Sequence, residues 1–165
     1  MIVVELITPQ NAMMFKELRL RALQDTPKAF GSTYARESLL TDSDWMDRAG
    51  NWNGERSVLY IASDGGVGCG IAGSHLDEDD RSRAHLISMW TAPEYRQRGV
   101  GRFLVNTIIG WARPRGASIL ELLVTSQNHP AILFYQRLGF TFTGASRPYP
   151  NDPSLVELEM SLPIA

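Results

Sequence analysis

The chain has one cysteine, Cys69, among 165 residues, which excludes an internal disulfide framework and any zinc site built from several thiolates. Charge of one sign is equally scarce, since 16 basic and 18 acidic side chains leave a net charge of −2. No general attraction to nucleic acid or anionic lipid follows, so an anionic ligand has to be held by local geometry. The three histidines, His75, His85 and His129, lack the short spacings of a helix-borne metal site, and no metal is expected. No apolar run reaches about 18 residues, and the opening "MIVVELITPQ" carries no basic region followed by a long apolar one. Neither a membrane span nor a signal peptide is expected, and the cytoplasm is the simplest compartment. Repeats and low-complexity tracts are also missing.

What is present fits one domain over residues 1–165, a length able to bury a sizeable core. The β-branched run "IVVELI" ends at Thr8-Pro9, an N-cap followed by proline at the first helical position. In the helix that follows, Met14, Leu18 and Ala22 share a face. A second short helix starts at "TDSDWMDRA", where Asp42 or Ser43 can cap it. From residue 57 the period shortens. "SVLYIAS" and "GCGIAGSHL" flank "DGG", a hairpin turn by composition, and "AHLISMWT" completes an antiparallel meander. "RFLVNTIIGWAR" reads as a broadly apolar helix ended by Pro114 and Gly116, and "SILELLV" as the next strand. Strand, helix and strand make a βαβ unit, which implies parallel pairing. "HPAILFYQRLG" is a last helix, with Pro130 in its first turn and Gly139 at its C-cap. "FTFTG" begins a strand, and "LVELEMSL" alternates Val156, Leu158, Met160 and Leu162 with Glu157, Glu159 and Ser161. The order predicts an α/β sheet of mixed direction.

Chemistry concentrates at "RQRGVG", residues 96–101. Glycines without Cβ let backbone N–H groups approach a ligand, and a helix starting there adds the positive end of its dipole, so phosphate is a natural guest. The alternative is a tight strand-to-helix connection with solvated arginines. A P-loop would need Lys and then Ser or Thr after the last glycine, where the chain has Arg102 and Phe103. A dinucleotide fingerprint would need a third small residue where Leu104 stands. A backbone cradle for a pyrophosphate remains.

Pro93, Arg96, Gly99 and Gly101 match the Gln/Arg-x-x-Gly-x-Gly/Ala signature of the GCN5-related N-acetyltransferases (GNAT). Downstream, "NHPAILFYQRLGF" matches the family's Asn-x-x-Ala-x-x-x-Tyr-x-x-x-Gly-Phe through Asn128, Ala131, Tyr135, Gly139 and Phe140. The chain therefore resembles this family, well over residues 57–142 and less over 24–56 and 143–153. The resemblance implies a mixed, mostly antiparallel sheet of six to seven strands, with a splayed central parallel pair and helices on both faces. It implies acetyl-CoA as donor. Backbone groups of Met89 and Trp90 would pair with the pantetheine arm, and one of their N–H groups would face the acetyl carbonyl. The amides of Gln97, Arg98, Gly99, Val100, Gly101 and Arg102 would hold the pyrophosphate, Asn128 would lie near the pantetheine, and Tyr135 would protonate the departing thiolate. A homodimer is also expected from the family.

An amine of pKa about 10.4 is only about one part in two thousand neutral at pH 7, a penalty of roughly 4 to 5 kcal/mol that a base or a water chain offsets. Glu37, His75, Glu121 or water could serve. Relatives that acetylate peptide N-termini often carry a glutamate where this chain has Leu123, with Glu121 two residues earlier on the same strand face. Glu37 reads most simply as an exposed helix carboxylate, His75 as a surface or hydrogen-bonded histidine, and Asp77 to Asp80 as a solvated hairpin loop. Arg137 reaches a cofactor phosphate or is a surface residue; Trp45 and Trp52 wall an acceptor pocket or pack the helical cap. The expected acceptor is a small-molecule amine, with a peptide N-terminus or lysine as the alternative. A non-catalytic acyl-CoA-binding module is the rival of another class, and Tyr135 counts against it.

Overall fold

A computed structural model describes residues 1–165. Seven strands form one sheet: β1 (Ile2–Leu6), β2 (Ser57–Asp64), β3 (Val67–Leu76), β4 (Arg83–Thr91), β5 (Ile119–Thr125), β6 (Thr141–Tyr149) and β7 (Asp152–Pro163). Their spatial order is β1-β2-β3-β4-β5-β7-β6. Every neighbouring pair is antiparallel except β4 and β5. The β2–β3 turn consists of Gly65 and Gly66, both left-handed at φ 57° and 85°, which is what a two-residue hairpin turn of matching twist demands.

The helices are α1 (Ala12–Asp25), α2 (Tyr34–Glu37), α3 (Asp42–Asn51), α4 (Val100–Ala112) and α5 (His129–Arg137). Alternation along the strands builds a core on each face. Leu59, Ile61, Ile71 and Trp90 pack with α1 and α3 through Phe15, Leu18, Trp45 and Ala49. Val58, Ala62, Ala72 and Leu122 pack on the other side with Leu104, Val105 and Ile108 of α4. Mixed direction and strand number agree with the sequence pattern, and the splay and two-sided helices with the family resemblance. The details differ in places. The buried stripe of α1 is centred on Phe15, Leu18 and Ala22, and Met14 is only half-buried. The cap of α3 is Thr41, whose hydroxyl accepts from the Asp44 N–H at 3.1 Å while Asp44 accepts from the Thr41 N–H at 2.8 Å. This reciprocal capping box starts the helix one residue after Thr41, so Asp42 lies inside it rather than capping it.

Two features of β4 shape the centre of the sheet. Its parallel ladder with β5 stops after Arg83–Ile119, Ala84–Leu120 and His85–Glu121, whereas β5 stays paired with β7 along its whole length. The edge of β4 from Leu86 to Thr91 therefore faces β5 without a strand partner. On its other edge, Ile87 pairs with Gly73 and Trp90 with Ile71, so β4 takes three steps where β3 takes two. This is a β-bulge. Ser88 sits in it at φ 53°, a left-handed conformation that costs an L-residue about 1–2 kcal/mol.

Candidate active site

The divergence of β4 from β5 opens a cavity of about 1010 Å³, enough for a drug-sized ligand or more. Met89, Trp90, Gln97, Gly99, Val100, Gly101, Asn128 and Tyr135 line it, as do His75, Glu121 and Arg137. Elements far apart in the sequence thus bring the expected cofactor residues to one cleft, except Arg98 and Arg102, which do not line it. The side chains of Arg98 and Arg102 are exposed, and Arg98 stacks on Tyr95 with its guanidinium carbon 4.7 Å from the ring centre. The expectation for both concerned only their amides.

At the mouth, the chain turns into α4 through Gln97 at φ 62° and Gly99 at φ 85°. Gly99 is the N-cap of α4 and has no side chain to satisfy the helix. The N–H groups of Gly99 to Arg102 consequently lack partners within the helix, and the dipole end reinforces them. A Cβ at Gly99 would meet no atom within 4 Å, whereas one at Gly101 would meet Phe134 Cζ at 2.8 Å. The first glycine is needed for its backbone angle and leaves open space. The second is needed so that α4 and α5 can approach. Arg96 is occupied within the chain: it donates to the Thr91 carbonyl and pairs with Asp25.

Tyr135 is 8% exposed, lines the cavity, and packs against Phe134 and Phe140. Its hydroxyl has no partner in the chain, and burial pushes its pKa upward. The phenol therefore keeps its proton over the whole working range of pH. Asn128 caps α5 by accepting from the Ala131 N–H at 3.3 Å. Cys69 is fully buried in the α4 core and lies outside the cavity lining.

The carboxylates behave differently from a sequence reading. Glu37 is 2% exposed, not an exposed helix residue, because two guanidiniums enclose it. Arg19 donates to both its oxygens at 3.1 and 3.0 Å, and Arg48 donates at 2.9 Å. Burial alone would raise its pKa, but the hydrogen bonds and charge of Arg19, with the charge of Arg48, hold it below the usual value. Glu121 is likewise engaged by Arg83 at 2.9 and 2.7 Å. Glu157 and Glu159, on the polar face of β7, turn into the cavity; Glu159 lies directly across the ladder from Leu123. Their alternation was readable, but which way that face pointed was not. His75 also lines the cavity, its ring 4.8 Å from that of His85. Burial, then the neighbouring His85, pushes the pKa of His75 down. Asp77 is not simply solvated: it accepts from His85 at 2.8 Å, and that bond with two backbone N–H bonds lowers its pKa to about 2.

Trp45 packs the helical cap, edge-on to Phe15. Trp52 lines a second cavity of about 410 Å³, which shares Arg19, His75, Ile87 and Ser88 with the first. The side of the main cavity lined by Phe30 and Tyr149 is bridged by a clasp. Tyr149 donates to the Phe30 carbonyl at 2.6 Å, and Asn151 donates to the Phe30 and Ser32 carbonyls at 3.3 and 3.4 Å. These bonds tie the β6–β7 turn to the loop after α1. A separation of about 120 residues hid this contact from local sequence patterns.

The profile of the Acetyltransferase (GNAT) family matches residues 19–140, a span that contains the glycine turn, the unpaired β4 edge and Tyr135. The chain belongs to the GNAT family. Streptothricin acetyltransferase of Streptomyces lavendulae is 37% identical over 89 residues, 54% of this chain and 46% of that protein. The [ribosomal protein bS18]-alanine N-acetyltransferase of Escherichia coli is 30% identical over 68% of this chain and 75% of its own. Among solved structures, a Salmonella typhimurium protein with its cofactor acetyl-CoA superposes with a TM-score of 0.78 over 99% of this chain and 94% of that one, at 19% identity. That likeness concerns the fold. Several curated GNAT relatives are longer, and the chain spans 27%, 46% and 38% of three of them. No helix is long and apolar enough to cross a membrane.

Proposed function

We propose that the chain is an acetyl-CoA-dependent N-acetyltransferase acting on a primary amine of a small molecule, by direct attack in a ternary complex. The observation that carries this reading is Tyr135, a buried phenol without a hydrogen-bond partner that lines the same cavity as the unpaired edge of β4. A site that only binds has no use for a proton held there. The residues fit the donor. The amides of Gln97 to Arg102, at a left-handed turn and a helix N-terminus, suit a pyrophosphate. The free edge of β4 at Met89 and Trp90 suits an extended amide-bearing arm, and Asn128 borders it. Bound there, acetyl-CoA supplies an acetyl group activated as a thioester.

The chain's part is to place charge and protons. A backbone N–H at Met89 or Trp90 stabilises negative charge on the carbonyl oxygen. Tyr135 holds a proton at its hydroxyl for the sulfur. Cys69, buried outside the cavity, offers no acyl relay. Of the candidates Glu37, His75, Glu121 and water, the two glutamates are bound by arginines, and His75 or water is the better acceptor of the amine's proton. His75 lines the cavity, and burial with the neighbouring His85 lowers its pKa, which favours a neutral, proton-accepting ring at pH 7.

A small acceptor is favoured by the Tyr149–Asn151 clasp, which bridges the Phe30 and Tyr149 side of the cavity, and by similarity to a streptothricin acetyltransferase. A peptide N-terminus is the second reading, favoured by the relative that acts on a ribosomal protein. Thiol release from acetyl-CoA, followed over polyamines, amino acids, amine-bearing antibiotics and short peptides, separates them. Turnover with small amines is expected. Turnover with peptides alone overturns the acceptor, and tight acetyl-CoA binding without release for any amine overturns transfer itself.

A further inference from the structure

We propose that Arg19 is a positioning residue: anchored by Glu37, it fixes the β4 bulge at Ser88 and thereby the backbone N–H groups that meet the acetyl carbonyl. This rests on the acetyl-transfer reading of the cleft. The bulge needs an external hold, because Ser88 adopts a left-handed angle that serine disfavours. Packing supplies little of that hold, since Ser88 borders hollow space on both sides and lines both cavities. A hydrogen bond does. Arg19 uses Nε and Nη2 for Glu37 and presents Nη1 to Ser88 Oγ at 3.3 Å.

The guanidinium is itself immobilised. Phe30 lies beneath it at 4.8 Å, and the carboxylate that grips it is gripped in turn by Arg48. A buried ion pair of this kind is weak evidence for stability, because removing two charges from water offsets most of their attraction. Fixing one conformation of a neighbouring backbone is a better account of it. A planar fork grips both carboxylate oxygens through Nε and Nη2 while Nη1 faces the hydroxyl, a fixed geometry that the single ammonium of a lysine does not reproduce.

Two readouts test this. In Arg19→Lys and Ser88→Ala, the β4 amides paired with β3 on either side of the bulge should exchange with solvent about tenfold faster while those of β5 hold, since only local opening is eased. With an accepted amine, kcat should fall about tenfold with KM for acetyl-CoA within about twofold, because a misplaced donor is lost from the transition state alone. Ser88→Gly is the sharpest variant: it relieves the left-handed strain, so the thermal midpoint should hold or rise while kcat falls. A merely structural serine would not move the two in opposite directions. Unchanged exchange at those β3-paired amides overturns the proposal, as does kcat that falls only in step with the folded fraction. A wild-type protein inactive on every amine would instead overturn the transfer reading, and the exchange data would still decide whether Arg19 holds the bulge.

Discussion

A Cβ added at Gly101 would meet Phe134 Cζ at 2.8 Å and Met89 Cε at 3.2 Å, while one at Gly99 would meet nothing. The two glycines of the turn therefore fail in different ways when replaced. Gly101→Ala should cost about 1–3 kcal/mol through overpacking and lower acetyl-CoA affinity by displacing α5 from α4. Phe134→Leu on that background should recover most of both. Gly99→Ala should cost about 1–2 kcal/mol through its backbone angle and should not respond to Phe134→Leu. Thermal unfolding and titration calorimetry on the four variants check this; rescue of Gly99→Ala, or none for Gly101→Ala, would contradict it. At this scale the motif residues were legible because their spacing matches the two signatures of the family the chain resembles. Glu37 was not, because its partners Arg19 and Arg48 lie 18 and 11 residues away and its short helix looks polar all round.

Among the elements, α2 has four residues and would be marginal without tertiary support. Thr33 caps it by accepting from the Arg36 N–H at 3.2 Å, and Glu37 ties it to α1 and α3. The folded pKa of Glu37 lies below its ordinary value of 4.5. Its contribution is thus present above about pH 4.5 and lost as pH falls through the folded value. Glu37→Gln should destabilise the protein by about 3 kcal/mol at pH 7, since the largely buried Arg19 guanidinium loses its counter-charge and the half-exposed Arg48 loses a partner. Midpoints of wild type and variant, followed from pH 7 to pH 3, should converge on acidification; parallel curves would contradict the assignment. Elements with strong periods were readable. The β4 bulge was not, because "LISMWT" carries no glycine at Ser88 and reads as an ordinary strand. The polar face of β7 was visible as alternation, yet its destination depends on the splay of strands that precede it by some thirty residues or more.

In the whole molecule, one break in a parallel ladder produces the cavity. β5 follows β7, β4 follows β3, and the space between them gathers a helix N-terminus, an unpaired strand edge and a buried phenol. Mixed sheet direction was legible because βαβ order and the meander constrain it, and the two-sided covering because the family resemblance implies it. The Tyr149 clasp and the second cavity were not, since both arise from surfaces distant in sequence. Burial keeps Tyr135 protonated, so its own ionisation should impose no alkaline fall in rate. The most direct test of acetyl transfer in this cleft is Tyr135→Phe, measured for kcat and for acetyl-CoA affinity on the same preparation. The account predicts kcat about a hundredfold lower with affinity within about twofold, the signature of a lost proton donor. Unchanged kcat, or equal loss of affinity and rate, would contradict it.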